Sequence, residues 1–121
     1  MSLRRRLDSF RYAFRGLADL FRTQPNARIH GTVTLAVVAA GACLHISRLE
    51  WLVIALSIAL ILALEALNTA IEYLTDLVSP AHHPLAGKAK DAAAAAVLLG
   101  AVGAAVVGLV VFLPRVLALL G

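Results

Sequence analysis

The stretch Trp51–Asp76, WLVIALSIALILALEALNTAIEYLTD, decides the fold. Its first fourteen residues carry no charge, and then Glu65, Asn68, Thr69, Glu72 and Asp76 follow at helical spacing. At about 100° per residue these five groups fall within roughly 100° of arc on one helix face. From Glu65 to Asp76 the helix axis covers about 16 Å. Three carboxylates this close repel, and lipid makes each ionised group costly. The face therefore needs cations, hydrogen-bond donors or a wet cleft, and Lys88, Lys90, the N-terminal arginines and a divalent metal are the candidates. Carboxylate and carboxamide oxygens without cysteine favour a hard ion, Mg²⁺ over Zn²⁺. Alternatively the face is solvated helix beyond the membrane. That reading suits Asp76 and Glu72 but not Glu65, around which Leu64, Leu67 and Ile71 keep the segment apolar.

Outward from this helix, the composition points the same way. Of 121 residues, 61% are hydrophobic and 15% charged, which predicts one all-α integral membrane domain over residues 1–121. The formal net charge is +4, and seven of the eleven Lys/Arg precede Gly31: Arg4, Arg5, Arg6, Arg11, Arg15, Arg22 and Arg28. A basic end beside long apolar runs fits anionic lipid headgroups better than nucleic acid, so no nucleic-acid partner is expected. The single cysteine, Cys43, lies in an apolar run and reads as a small hydrophobe. No apolar core directly follows the arginine run, and no small-residue cleavage site appears, so the N-terminus does not read as a cleavable signal peptide.

Residues 3–21 read as an amphipathic helix in the membrane interface, with Leu3, Leu7, Phe10, Phe14, Leu17 and Phe21 on one stripe and arginines flanking it. A helix packed on a partner domain is the alternative. Pro25 marks a new start. Three helices containing transmembrane spans are expected at 28–46, 50–78 and 88–119, joined by the turn HISRLEW and the loop SPAHHPLAGK. The positive-inside rule puts the arginine-rich end, the Lys88/Lys90 loop and the polar end of the second span in the cytoplasm. Ala92, Ala96, Gly100, Ala104 and Gly108 form a small-residue ridge, read as helix packing. Three helices cannot enclose the polar stripe, which predicts a homo-oligomer with sites between subunits.

EALNTAIE (65–72), followed by HHPLAGKAKDAAAAAVLL (82–99), resembles the small bacterial membrane lipid kinases, the diacylglycerol kinase and undecaprenol kinase family. The resemblance covers nearly the whole chain, including RTQPNARIH (22–30) and FLP (112–114), and within the family it leans to the undecaprenol kinase branch. It implies a homotrimer in the bacterial inner membrane that uses Mg²⁺ and ATP to phosphorylate a lipid hydroxyl on the cytoplasmic side. Undecaprenol is the expected acceptor, with diacylglycerol as the alternative. By motif match Glu65 is the general base, Glu72 holds Mg²⁺, and Asn68 contributes an oxygen or orients the site. Asp76 lies nearer the nucleoside, and Lys90 neutralises phosphate charge. Asp91 joins this polar cluster or merely favours the helix start. Arg5 and Tyr12 match positions near the adenosine, although Tyr12 also reads as an interfacial aromatic.

One position departs from the family pattern. Gln24 stands where the family usually has a glutamate serving as a second acidic metal ligand. His30 matches a position near the lipid headgroup, or is a histidine anchored at the interface. His82 and His83 read as loop residues. A small transporter and a partner-recruiting module are the competing functions. The polar groups cluster at one end, leaving no continuous pathway for transport. A recruiting module does not require Glu65, Asn68, Glu72 and Lys90 together.

Overall fold

The computed structural model describes residues 2–121. Four helices follow one another: α1 (Leu3–Thr23), α2 (Pro25–Cys43), α3 (Arg48–Val78) and α4 (Pro84–Leu120). Their limits are set by local chemistry at each end. Ser2 caps α1, its side chain accepting from the Arg5 amide at 3.4 Å. Gln24 breaks the chain into extended geometry, and Pro25 opens α2, where its missing N–H is no loss.

α2 was expected to start at residue 28 and end at 46; it starts and stops three residues earlier. His45 takes φ 52°, and the Ile46 amide donates back to the Gly41 carbonyl at 3.2 Å. This left-handed cap ends the helix, and Ile46 is buried in the turn. α3 begins at Arg48 rather than 50 because Ser47 and Glu50 form a reciprocal capping box. α4 begins four residues before 88. Pro84 is preset for the first turn, and His83 Nδ1 accepts from the Leu85 amide at 3.1 Å, so the loop shrinks to residues 79–83.

Two of these helices, α3 with 31 residues and α4 with 37, are long and apolar enough to cross a membrane. At 1.5 Å per residue they measure about 46 and 55 Å, against roughly 30 Å of hydrocarbon, so each extends past it. The 19 residues of α2 measure about 28 Å, but Arg28, His30, Thr32 and Thr34 dilute its first half.

α3 and α4 form the main antiparallel pair, α2 packs on α3, and α1 touches α2 and α3. Gly100 lies against α3, where a Cβ would come within 2.6 Å of Leu64. The expected packing ridge holds at that point. Further along, Ala104 and Gly108 line a groove of about 350 Å³ between α2, α3 and α4. At the end away from the polar stripe, Ile46, Ile54 and Val111 are buried among Val37, Leu44, Trp51 and Phe112. There Glu50 and Arg115 join the two long helices. Leu35, Leu56, Leu99 and Val110 stay at least 70% exposed, an apolar surface suited to lipid or to further copies of the chain.

The apolar stripe of α1 is exposed along Leu3, Leu7, Phe10 and Phe14. The helix docks through a different face, on which Leu20 is buried. A cleft lined by Ala13, Gly16, Ala66, Thr69 and Tyr73 marks where α1 meets α3.

Candidate active site

The polar stripe of α3 is graded along its length. Glu65 and Thr69 are buried (2% and 5% exposed), Asn68 and Glu72 are half-buried, and Asp76 is exposed. The expectation that only a second copy could enclose this face therefore fails for Glu65 and Thr69. α2 brings His30 to Glu65, and α1 lies across Thr69. Solvation accounts for Asp76 and not for Glu65, which follows from the apolar run continuing past Glu65 on either side.

His30 Nε2 stands 3.2 Å from Glu65 Oε1. The approach lacks hydrogen-bond alignment, and Oε1 has no hydrogen-bond partner. Thr69 Oγ1 and Asn68 Oδ1 are likewise buried without partners, while Asn68 Nδ2 donates to Glu72 Oε1 at 3.4 Å. Buried polar atoms are paired in nearly all folded proteins, so three orphans on one face mark a place prepared for something else.

Beyond Glu72, Lys90 Nζ donates to Asp76 Oδ1 at 2.5 Å and bridges α3 to the start of α4. A polar cleft at the α3–α4 turn adjoins this pair, lined by Asp76, Ser79, His82, His83, Gly87 and Lys90. His82 and His83 are loop residues as expected, and His83 additionally caps α4. Asp91 is exposed on the first turns of α4.

The other site residues from the sequence lie on the first two elements. Gln24 is half-buried between α1 and α2, its Nε2 donating to Thr23 Oγ1 at 3.3 Å. Arg5 and Tyr12 are exposed on α1, and the Arg15 guanidinium sits 5.9 Å from the Tyr12 ring centre. Thus Asn68 and Glu72 are brought together, and so are Asp76 and Lys90. Arg5 and Tyr12 remain on the open side of α1.

Two contacts were not anticipated: His30 with Glu65, and Tyr73 with Asp19. Tyr73 Oη donates to Asp19 Oδ2 at 2.8 Å and lies 3.4 Å from Thr23 Oγ1, tying α1 to α3 beside Glu72.

Among the described residues no group of three or more His, Cys, Asp or Glu side chains could hold a metal alone. The available donors are oxygens, and the free Oδ1 of Asn68 beside the Glu72 carboxylate suits a hard divalent ion that takes its remaining ligands elsewhere.

Residues 11–112 match the profile of the family described as prokaryotic diacylglycerol kinase. The chain is 44% identical over 113 residues to the undecaprenol kinase of Bacillus subtilis (strain 168), covering 93% of this chain and 92% of that protein. It is 46% identical over 115 residues to a diacylglycerol kinase of Synechocystis sp., covering 94% of this chain and 66% of that protein. Against the diacylglycerol kinase of Escherichia coli (strain K12) it is 30% identical over 95 residues, 78% of each. With its apolar helices and the partly buried acidic motif on α3, the chain belongs to the prokaryotic diacylglycerol kinase family and is a membrane lipid kinase.

Proposed function

We propose that the chain transfers the γ-phosphoryl group of ATP to the terminal hydroxyl of undecaprenol at the cytoplasmic face of the bacterial inner membrane. The observation that carries this reading is Glu65, a carboxylate 2% exposed with a buried, unpartnered Oε1 at the head of the stripe that also holds Asn68 and Glu72. An alcohol is a weak nucleophile at neutral pH. Glu65 takes its proton as the new O–P bond forms, and the bond to the ADP oxygen breaks. Glu72 and Gln24, with Asn68 beside them, would hold Mg²⁺, and the ion would supply positive charge against the phosphate oxygens. Lys90, already positioned by Asp76, offsets the charge that develops on the phosphoryl oxygens. Asp76 and Asp91, with Arg5 and Tyr12 of α1, lie on the nucleotide side.

The groove between α2, α3 and α4, lined by Ile29, Val33, Ile54, Ile58 and His30, supports a long apolar acceptor with one polar end. Diacylglycerol remains a second acceptor, supported by the 46% identity to a diacylglycerol kinase. In this reading α2 is a third crossing, and residues 1–121 form one domain. Three copies assemble with their sites between neighbours, covering the exposed apolar faces. The arginines at the α1 end support a cytoplasmic position for that end.

The test is purified protein with radiolabelled ATP and Mg²⁺, offered undecaprenol or diacylglycerol in separate reactions. Faster labelling of undecaprenol is expected, with turnover lost in Glu65→Gln while assembly persists. Full turnover in Glu65→Gln rejects the assigned base, and preferential labelling of diacylglycerol transfers the assignment to that lipid.

A further inference from the structure

We propose that His30 is a positioning residue for Glu65, orienting the buried carboxylate toward the acceptor hydroxyl; this rests on the reading of Glu65 as the base. The imidazole reaches across from α2 to within 3.2 Å of Oε1, with 23% of its own side chain exposed against 2% for Glu65. No other ionisable side chain among the described residues lies within ion-pairing distance of either group. Four charged groups on the surrounding elements are engaged elsewhere. On α3, Glu72 accepts from Asn68; on α4, Lys90 holds Asp76; on α1, Asp19 accepts from Tyr73.

A carboxylate removed from water without a firm partner can rotate, and a misplaced base loses much of the advantage of a preset geometry. His30 brings a polar group from another helix to the Glu65 carboxylate, where a small rotation of either side chain would align a hydrogen bond. The same imidazole lines the apolar groove beside Ile29, Val33, Thr34 and Ile58. It therefore stands where the groove meets the carboxylate, behind the oxygen to which an alcohol bound along the groove presents its hydroxyl. A role confined to packing requires only volume at this position, whereas a positioning role requires a polar nitrogen.

The experiment uses the full chain in lipid nanodiscs, measuring kcat and KM for ATP and for the lipid alcohol on the folded fraction. The variants are Glu65→Gln, His30→Ala, His30→Leu and His30→Gln. Loss of turnover is expected in Glu65→Gln. His30→Ala and His30→Leu are expected to lower kcat roughly 10–100-fold, the range for lost supporting contacts. Both KM values should stay within about threefold, the pattern of an interaction used in the transition state. His30→Gln, which restores a nitrogen donor, is expected to recover most of the lost kcat. Wild-type kcat in His30→Leu, or no gain from Gln over Leu, overturns the proposal while Glu65→Gln remains inactive. An active Glu65→Gln rejects the base itself, a separate result. If His30→Ala does not fold, the Leu and Gln pair decides the matter.

Discussion

Tyr73 on α3 donates a hydrogen bond to Asp19 on α1 at 2.8 Å, one residue beyond Glu72. The amphipathic helix α1 is thereby fastened to the helix that bears the acidic motif. Tyr73→Phe removes the donor and keeps the ring. A hydrogen bond to a charged acceptor contributes about 1.5–3 kcal/mol, and the exposure of Tyr73 beside a half-buried Asp19 lowers that to about 1 kcal/mol here. Faster amide exchange across α1 is expected in Tyr73→Phe, with α3 and α4 unchanged. Unaltered exchange shows that packing of Leu20 alone holds α1.

Glu50 performs two tasks: it closes the capping box with Ser47 and pairs with Arg115 across to α4. Arg115→Met removes only the second task, and Glu50→Gln weakens both. Capping interactions contribute about 1 kcal/mol, so Glu50→Gln is expected to lower the apparent Tm in detergent more than Arg115→Met does. Both variants keep wild-type turnover, because this pair sits at the end opposite Glu65. Equal Tm losses place the whole effect in the ion pair.

The Gly41 backbone lies under the Trp51 indole, and a Cβ there would stand 2.7 Å from Cη2 of the rigid ring. Gly41→Ala is expected to destabilise by about 1–3 kcal/mol, the usual range for overpacking. Gly103 has nothing within 4 Å, so Gly103→Ala should change stability by less than about 0.5 kcal/mol. Thermal unfolding of the two variants side by side is the measurement. A large loss at Gly103 means that a second copy covers that face.

Gln24 offers an uncharged oxygen where a carboxylate would bind a divalent ion more tightly. If Gln24 helps to hold Mg²⁺, Gln24→Glu should lower the Mg²⁺ concentration for half-maximal activity roughly fivefold, equivalent to about 1 kcal/mol. The same tightening should appear in Mg²⁺ binding measured by calorimetry in the presence of a non-hydrolysable ATP analogue. Identical titrations for the two proteins remove Gln24 from the metal site.

Helix number and order were legible because hydrophobic runs and the stripe Leu3–Phe21 are local patterns. Element limits were less so, since single residues decide them. Ser47 with Glu50 moved the start of α3, Pro84 after His83 moved that of α4, and the left-handed turn at His45 shortened α2. The acidic stripe was legible as a motif, but its enclosure was not. Burial of Glu65 depends on how α2 crosses α3, and spacing along one helix carries no information about that crossing. The His30–Glu65 and Asp19–Tyr73 contacts stayed hidden for the same reason. Each joins residues far apart in the chain, and no local pattern links them.

The two ion pairs between the long helices share an arrangement. At both ends α3 supplies the acid and α4 the base, Glu50 with Arg115 and Asp76 with Lys90. Sliding one rod past the other by a helical turn, about 5.4 Å, would part both pairs together and leave the four charges mismatched. The hairpin is thus pinned like a ruler clamped at each end. Lys90 keeps its height relative to Glu72 and Asp76 even while the flanking faces exchange lipids.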